Sequence, residues 1–307
     1  MGPITVDGSS ETVEDNQISG QATITLGFPV VGSIIATGDS NLISGNHVYE
    51  IGIQGNRNII SGNYVFFNTS IGAGTAGIEL SNADYNLICN NTEGGNNVGI
   101  AVGYGGLFVP DFGEGSYNLF AGNTIEGAAL WGISMSSGSY NVFYGNLVTG
   151  SGGAGHDGYG LTLGGNGIAA TNNLFFDNSF VNNSKNFATN WLISGTNFFD
   201  NGSIGNYWDD YSIKFPNATA ANAHVETMPY PVYGNVTDNY PLVYLPIVST
   251  EVPTLPNPWS QLNSLIPQST STSSVPEFSW LAIIALLLSL LAAAVVFKHR
   301  KTANLGK

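Results

Sequence analysis

The chain has 307 residues and a formal net charge of −14, and only 9% of its residues are charged. Its one cysteine, Cys89, excludes an internal disulfide framework. The charge distribution excludes a nucleic-acid-binding protein, which needs clustered lysine and arginine. Before residue 278 there are only three basic residues, Arg57, Lys185 and Lys214, against all 21 acidic residues.

A repeated motif runs through the first 200 residues. It reads asparagine, two apolar residues, a variable residue, a small or polar residue and a second asparagine. The first asparagines of the six copies are Asn41, Asn58, Asn86, Asn118, Asn141 and Asn173, and the second are Asn46, Asn63, Asn91, Asn123, Asn146 and Asn178. Degenerate copies begin at Asn16 and Asn197, which gives a mean period of about 26 residues, typical of a solenoid.

Each repeat also contains a short segment that begins with glycine and has apolar residues at every second position, as a β-strand does. No segment before residue 278 shows the apolar periodicity of a helix together with helix-capping residues. The sequence therefore predicts an all-β fold, a right-handed parallel β-helix over residues 1–212, followed by one transmembrane helix. The inward residues expected to stack from coil to coil are Ile43, Ile60, Ile88, Phe120, Phe143 and Phe175. The motif asparagines are expected at the bends, where asparagine tolerates unusual backbone angles and amides can form ladders.

The segments NLISGN, GIELS and GNYWDDY, the last at residues 205–211, resemble NosD-type β-helix repeat proteins of archaeal and bacterial cell surfaces. The resemblance covers roughly residues 15–245 and implies the β-helix fold and a surface location. It does not imply one function, because such coils serve as binding modules, lyases, epimerases and stalks. The copper suggested by the family label is not expected, since His47, His156 and His224 have no metal-ligand spacing.

Two glycine-rich inserts, residues 103–115 and 150–158, interrupt the coils. They combine aromatic rings with carboxylates, a composition typical of sugar-binding sites, and loops on rigid scaffolds often carry binding residues. The alternative is that they are solvated loops without a ligand. The predicted ligand-binding residues are Tyr104, Asp111, Glu114, His156 and Asp157.

Beyond the repeats, the sequence predicts a C-terminal cap at residues 213–247 and an extended Pro/Ser/Thr-rich linker at 248–278. In the NosD-type family an Asp-Gly-rich segment often precedes a Pro-Tyr pair in the cap. Here only Pro229 and Tyr230 remain, which argues against a cation site there. Candidate glycosylation sequons begin at Asn68, Asn90, Asn182, Asn201, Asn217 and Asn235.

Residues 279–297 contain no charge and are long enough to cross a bilayer as a helix. The basic residues that follow predict a cytoplasmic tail at 298–307 and an extracellular amino-terminal side, hence a single-pass membrane protein. The lead-in at 275–278 and this span resemble the PEF-type sorting signal of archaeal surface proteins, which implies that the tail is cleaved. No signal peptide is recognisable at the beginning, so an N-terminal segment is expected to be missing.

Two classes of polysaccharide-active enzyme set requirements that the residues can be compared with. A lyase or epimerase needs a base and cationic groups beside it, but the three basic residues share no motif position. An inverting glycosidase needs two nearby carboxylates, and the pair in one column, Asp39 and Asp84, lies two coils apart. The sequence therefore favours a surface protein that has a structural role or binds carbohydrate or surface-layer proteins, with a polysaccharide-active enzyme as the alternative. No cofactor is expected, although a calcium ion that is structural or bridges a ligand is compatible with the acidic surface.

Overall fold

The protein is described by a computed structural model. It describes residues 4–6, 8–16, 32–66, 76–103, 113–152, 158–164, 170–189, 195–246, 248 and 251–266, all within one compact unit, Met1–Ile266. Among these residues, no helix is long and apolar enough to span a membrane. The predicted span at 279–297 and the tail at 298–307 lie outside the described residues.

Three parallel sheets run along the molecule, and each coil contributes one short strand to each sheet. Sheet 1 contains β1 (Ile4–Val6), β3 (Ser33–Ala36), β6 (Glu50–Ile53), β9 (Ala76–Leu80), β12 (Val98–Val102), β15 (Trp131–Met135), β19 (Tyr159–Leu163) and β23 (Lys185–Thr189). Sheet 2 contains β2 (Thr12–Glu14), β4 (Leu42–Ser44), β7 (Ile59–Ser61), β10 (Leu87–Cys89), β13 (Leu119–Ala121), β17 (Val142–Tyr144) and β21 (Leu174–Phe176). Sheet 3 contains β5 (His47–Val48), β8 (Tyr64–Phe66), β11 (Thr92–Gly94), β14 (Thr124–Glu126), β18 (Leu147–Thr149), β22 (Ser179–Val181) and β24 (Tyr207–Trp208).

Strands that neighbour each other within a sheet come from successive coils, which is the arrangement of a parallel β-helix. A further parallel pair, β16 (Gly138–Ser139) with β20 (Ala170–Thr171), lies at one corner. The predicted parallel β-helix is therefore confirmed. Short strands suit it because each coil buries its apolar face only when neighbouring coils stack on it.

The core is built from inward columns in which each coil contributes one side chain. The predicted column of sheet 2 is confirmed, because Ile43, Ile60 and Ile88 are register partners and fully buried. It continues as stacked phenyl rings, with centroids 4.3 Å apart between Phe120 and Phe143 and 4.8 Å between Phe143 and Phe175. Offset aromatic stacking of this kind adds to the stabilisation from buried area.

The chain turns at left-handed residues, and these are not the motif asparagines. The residue directly before each motif asparagine has a positive φ, as at Arg57 (57°) and Tyr85 (57°) before the first asparagine and Gly62 (63°) before the second. The prediction that the asparagines themselves adopt the unusual angles was wrong. The left-handed position explains why the fifth motif residue is glycine, asparagine or aspartate, the residues that accept positive φ most readily.

A small cap closes the last coil. It contains α1 (Tyr211–Lys214) and an antiparallel hairpin of β25 (Tyr230–Tyr233) and β26 (Val236–Asp238). The Trp208 ring lies parallel to Phe180 at 4.7 Å and to Tyr230 at 4.4 Å, so the cap extends the aromatic stacking beyond the coils. Aromatic stacking therefore covers the apolar end that a bare last coil would expose.

The predicted extended linker is in part a packed segment. Residues 251–266 contain a 3₁₀-helix, Trp259–Ser264, and lie against the outer face of sheet 2. Trp259 and Leu262 are buried there, and the Trp259 indole N–H donates to the Asn172 carbonyl oxygen at 2.8 Å. The proline-rich composition predicted a solvated spacer, but the apolar residues within it are spaced to cover an apolar sheet face.

Candidate functional site

The motif asparagines form two buried columns of amides. In the second column, the backbone N–H and the side-chain Nδ2–H of Asn91 both donate to Asn123 Oδ1 at 3.0 Å. The Asn123 amide in turn donates to the Ile88 carbonyl oxygen at 2.9 Å and to Asn146 Oδ1 at 2.9 Å. The same pattern recurs from coil to coil, and every motif asparagine is at most 1% exposed. These amides hold the coils together and do not contact solvent or a ligand.

A third polar column lies at the corner between sheets 1 and 2 and contains the two aspartates considered for hydrolysis. Asp39 Oδ1 accepts from the Asn56 backbone N–H at 2.6 Å, and Asp84 Oδ1 accepts from the Ser116 backbone N–H at 2.7 Å. Asn56 lies between them, and its Oδ1 accepts from the Asp84 backbone N–H at 2.8 Å. The two carboxylates therefore serve as turn acceptors in separate coils and do not flank one bond.

Each of the three basic residues before residue 278 already contacts another side chain. Arg57 lies 5.9 Å from the centre of the Tyr85 ring, and Lys185 lies 5.4 Å from that of Tyr159. Lys214 forms an ion pair with Asp210 at 2.9 Å in the cap. The three cations belong to different parts of the fold, so they form no common cationic cluster.

The carboxyl groups with the most strongly raised pKa values lie inside the molecule. Burial raises the pKa of Glu93 well above its ordinary range, and burial together with the charge of Glu79 does the same to the pKa of Glu50. Burial raises the pKa of Asp238 to about 7, against the opposing effect of N–H donors from Trp208, Asn206 and Tyr240. Perturbed pKa values often mark active sites, but these groups are at most 2% exposed and so cannot be reached from solvent in this structure.

The predicted ligand-binding loops fall largely outside the described residues. Tyr104, Asp111, His156 and Asp157 belong to that part. Glu114 is described and exposed, and it lies between two buried glycines. Because four of the five lie outside the described residues, their shared binding site stays a prediction. Among the predicted glycosylation sites, Asn68 is not described, Asn201 is half-buried, and the remaining sites are exposed, namely Asn90, Asn182, Asn217 and Asn235.

The outer face of sheet 3 carries an exposed aromatic patch, which we define as His47, Tyr64 and Phe66. The His47 and Tyr64 rings meet edge to face at 4.7 Å, and the Tyr64 and Phe66 rings are nearly parallel at 5.7 Å. Tyr64 is 43% exposed. A β carbon on Gly94 would lie 2.7 Å from the Phe66 ring, so glycine in the next coil lets that ring lie against the sheet.

Hydroxyl groups continue this face along the molecule. Thr92 and Thr124 follow Tyr64 in register at the coil spacing of about 4.8 Å. Both are half-buried, and the exposed Glu126 lies beside them. The face therefore presents rings at one end and two hydroxyls beyond them, after which Leu147 occupies the same row.

The aromatic patch was not predicted from the sequence, where His47 was considered only as a metal ligand. A signal was present in HVY and NYVFF, in which aromatic residues occupy the outward positions on either side of the inward Val48 and Val65. No group of three or more His, Cys, Asp or Glu side chains lies together in the described part of the chain. The copper reading therefore gains no support there.

The comparisons with known proteins do not assign the chain to a family. No family model and no curated protein matches the chain, so the resemblance to NosD-type repeats stays a prediction. Among solved structures, the chain is similar to the Dettilon tailspike protein (gp208), with 19% identity and a TM-score of 0.38. The match covers 64% of this chain but only 43% of the tailspike. A likeness this distant says nothing about function.

Proposed function

We propose that this chain is a cell-surface β-helix that binds neutral glycan chains along the outer face of sheet 3. The observation that carries the proposal is the aromatic patch of His47, Tyr64 and Phe66, which is followed in register by two threonine hydroxyls. Aromatic rings offer an apolar face together with a polar edge, which suits the faces of sugar rings, and hydroxyls pair with sugar hydroxyls.

The rigidity of the scaffold supports binding. Buried amide columns and stacked rings hold the strands of sheet 3, so the side chains on its outer face lose little freedom when a ligand binds. In the row that contains Tyr64, the next two coils present Thr92 and Thr124, so the face offers a ring and two hydroxyls at successive coil spacings. Because the charged residues before residue 278 are almost all acidic, the chain favours a neutral glycan over an anionic one.

Membrane anchorage belongs to the same proposal. It is supported by the uncharged span at 279–297 and the basic residues that follow it. Protease added to intact cells is expected to remove the part that precedes the span and to leave a small basic fragment. Protection of the β-helix from that protease would refute the extracellular orientation, and a mature protein without residues 298–307 would indicate that the sorting signal is cleaved.

The binding test uses the full chain and a panel of neutral and acidic polysaccharides. Tyr64→Ala is expected to weaken retention about tenfold, which corresponds to about 1.4 kcal/mol. The matched control is Ile59→Ala, because Ile59 is 42% exposed but belongs to the neighbouring sheet 2. Equal retention of Tyr64→Ala and wild type would refute the assigned face. New chain ends or unsaturated products would favour the enzyme alternative instead.

A further inference from the structure

One carboxyl group lies in a column that is otherwise apolar. Glu93 of β11 points inward, between its register partners Val65 and Ile125, and is fully buried. It is the second residue after the motif asparagine, a position that holds an apolar residue in the other five copies. The apolar counterparts are Val48, Val65, Ile125, Val148 and Phe180.

The polar atoms of Glu93 and of nearby Asn96 have no hydrogen-bond partner. Both carboxyl oxygens of Glu93 and both amide atoms of Asn96 are unpaired, and Asn96 is 1% exposed. Asn183 occupies the same corner three coils later, and its side-chain amide is hydrogen-bonded there. Its amide donates to the Val148 carbonyl oxygen at 3.1 Å and accepts from the Ser151 backbone N–H at 3.0 Å. An asparagine at this corner can therefore bond to the backbone, whereas Asn96 does not.

These groups converge beside Gly77. A β carbon on Gly77 would lie 2.9 Å from Glu93 Oε2, 2.8 Å from Asn96 Nδ2 and 2.9 Å from the Gly99 carbonyl oxygen. A half-turn of the Asn96 amide puts its oxygen where the nitrogen lies. The corner can then present carboxylate, amide and carbonyl oxygens to one point.

The buried carboxyl group of Glu93 needs a partner that offsets the cost of its burial. An ionised carboxylate without a partner in an apolar interior is very costly. Protonation would remove the charge but would leave the polar atoms of both side chains without hydrogen bonds. A cation that prefers oxygen ligands neutralises the carboxylate and gives the neighbouring oxygens a partner as well.

We propose that Glu93, Asn96 and the Gly99 carbonyl oxygen bind one hard cation, such as Na⁺ or Ca²⁺, inside the coil stack beside Gly77. The site fixes the corner between sheets 3 and 1 in the coil that follows the aromatic patch. It is independent of the glycan-binding proposal, since it lies on the inner side of the sheet.

The test compares the thermal stability and the metal content of the full chain after refolding with Ca²⁺, Mg²⁺, Na⁺ or K⁺. Ionic strength is kept constant with tetramethylammonium, which is too large for the corner. A saturating cation that binds is expected to raise Tm by about 5 °C or more, with one equivalent retained after dialysis. Glu93→Gln keeps the size of the side chain and is expected to abolish both effects.

Two further variants keep the test decisive. Glu126→Gln removes an exposed carboxylate one coil away, causes the same change in net charge, and is expected to retain the response to the cation. Glu93→Val restores the apolar residue of the neighbouring coils, so it is expected to fold, to ignore the cation and to exceed the Tm of the cation-free wild type. If wild type and Glu93→Gln respond equally to every cation, or if neither responds, the proposal is refuted and Glu93 is a protonated core residue.

Discussion

The buried amide columns predict a large effect for one side chain at the centre of the stack. In Asn123→Ala, two hydrogen bonds received from Asn91 and two donated to Ile88 and Asn146 are lost. Each buried hydrogen bond contributes about 1 kcal/mol, and a buried group left unpaired costs about 1–3 kcal/mol. We therefore expect the free energy of unfolding to fall by about 4 kcal/mol, which lowers Tm by about 8–16 °C in a chain of this size.

Thermal and urea unfolding of the full chain would measure this loss, with two comparison variants. Asn217→Ala removes an exposed asparagine of the cap and is expected to change stability by less than about 0.5 kcal/mol. Asn16→Ala removes the half-buried first member of the column, whose Nδ2 donates to the Glu14 carbonyl oxygen and to Asn46 Oδ1, and is expected to cost about 1 kcal/mol. If Asn123→Ala behaved like Asn217→Ala, the amide column would contribute no cohesion between coils.

Three further predictions concern the core, the cap and the C-terminal segment. Phe143→Ala leaves a gap between two stacked rings and is expected to lower the free energy of unfolding by about 3–5 kcal/mol. If urea unfolding showed a loss of only about 1 kcal/mol, the neighbouring coils would have closed the gap. The pKa of Asp238 is raised to about 7 in the folded protein, whereas an aspartate of the unfolded chain loses its proton near pH 4. The free energy of unfolding is therefore expected to fall as the pH rises from about 4 to about 7. Asp238→Asn is expected to flatten that part of the pH–stability curve, and an unchanged slope would contradict the assignment. Trp259→Ala removes the indole bond to Asn172 and is expected to expose residues 251–266 to limited proteolysis, whereas substitution of the exposed Gln261 by alanine is not.

The motif explains why the β-helix could be predicted. An asparagine pair and two apolar residues recur at the same spacing, so each coil repeats the same inward and outward pattern, and Ile43, Ile60 and Ile88 stack as that pattern requires. The turn geometry was harder, because asparagine is common in left-handed turns and was assigned that role. In the structure the preceding residue turns the chain, and the asparagine is used for its amide.

The candidate site could not be predicted in the same way. The sequence drew attention to insert residues such as Tyr104 and His156, because loops with rings and carboxylates resemble binding sites. The aromatic patch of His47, Tyr64 and Phe66 belongs instead to regular strands. Its members become neighbours only because strands of successive coils pair in register.

The sequence by itself determined the coil, because a repeat of this period can bury its apolar residues only by stacking on copies of itself. Tertiary structure decided which outer face stays open. The apolar outer face of sheet 2 is covered by residues 251–266, whereas Tyr64 on sheet 3 remains exposed. Tertiary structure also gave two similar glutamates opposite environments. Glu93 lies two residues after its motif asparagine and points inward, whereas Glu126 lies three residues after its motif asparagine and faces solvent. Side chains alternate between the faces of a strand, so one position separates a buried carboxyl from an exposed one.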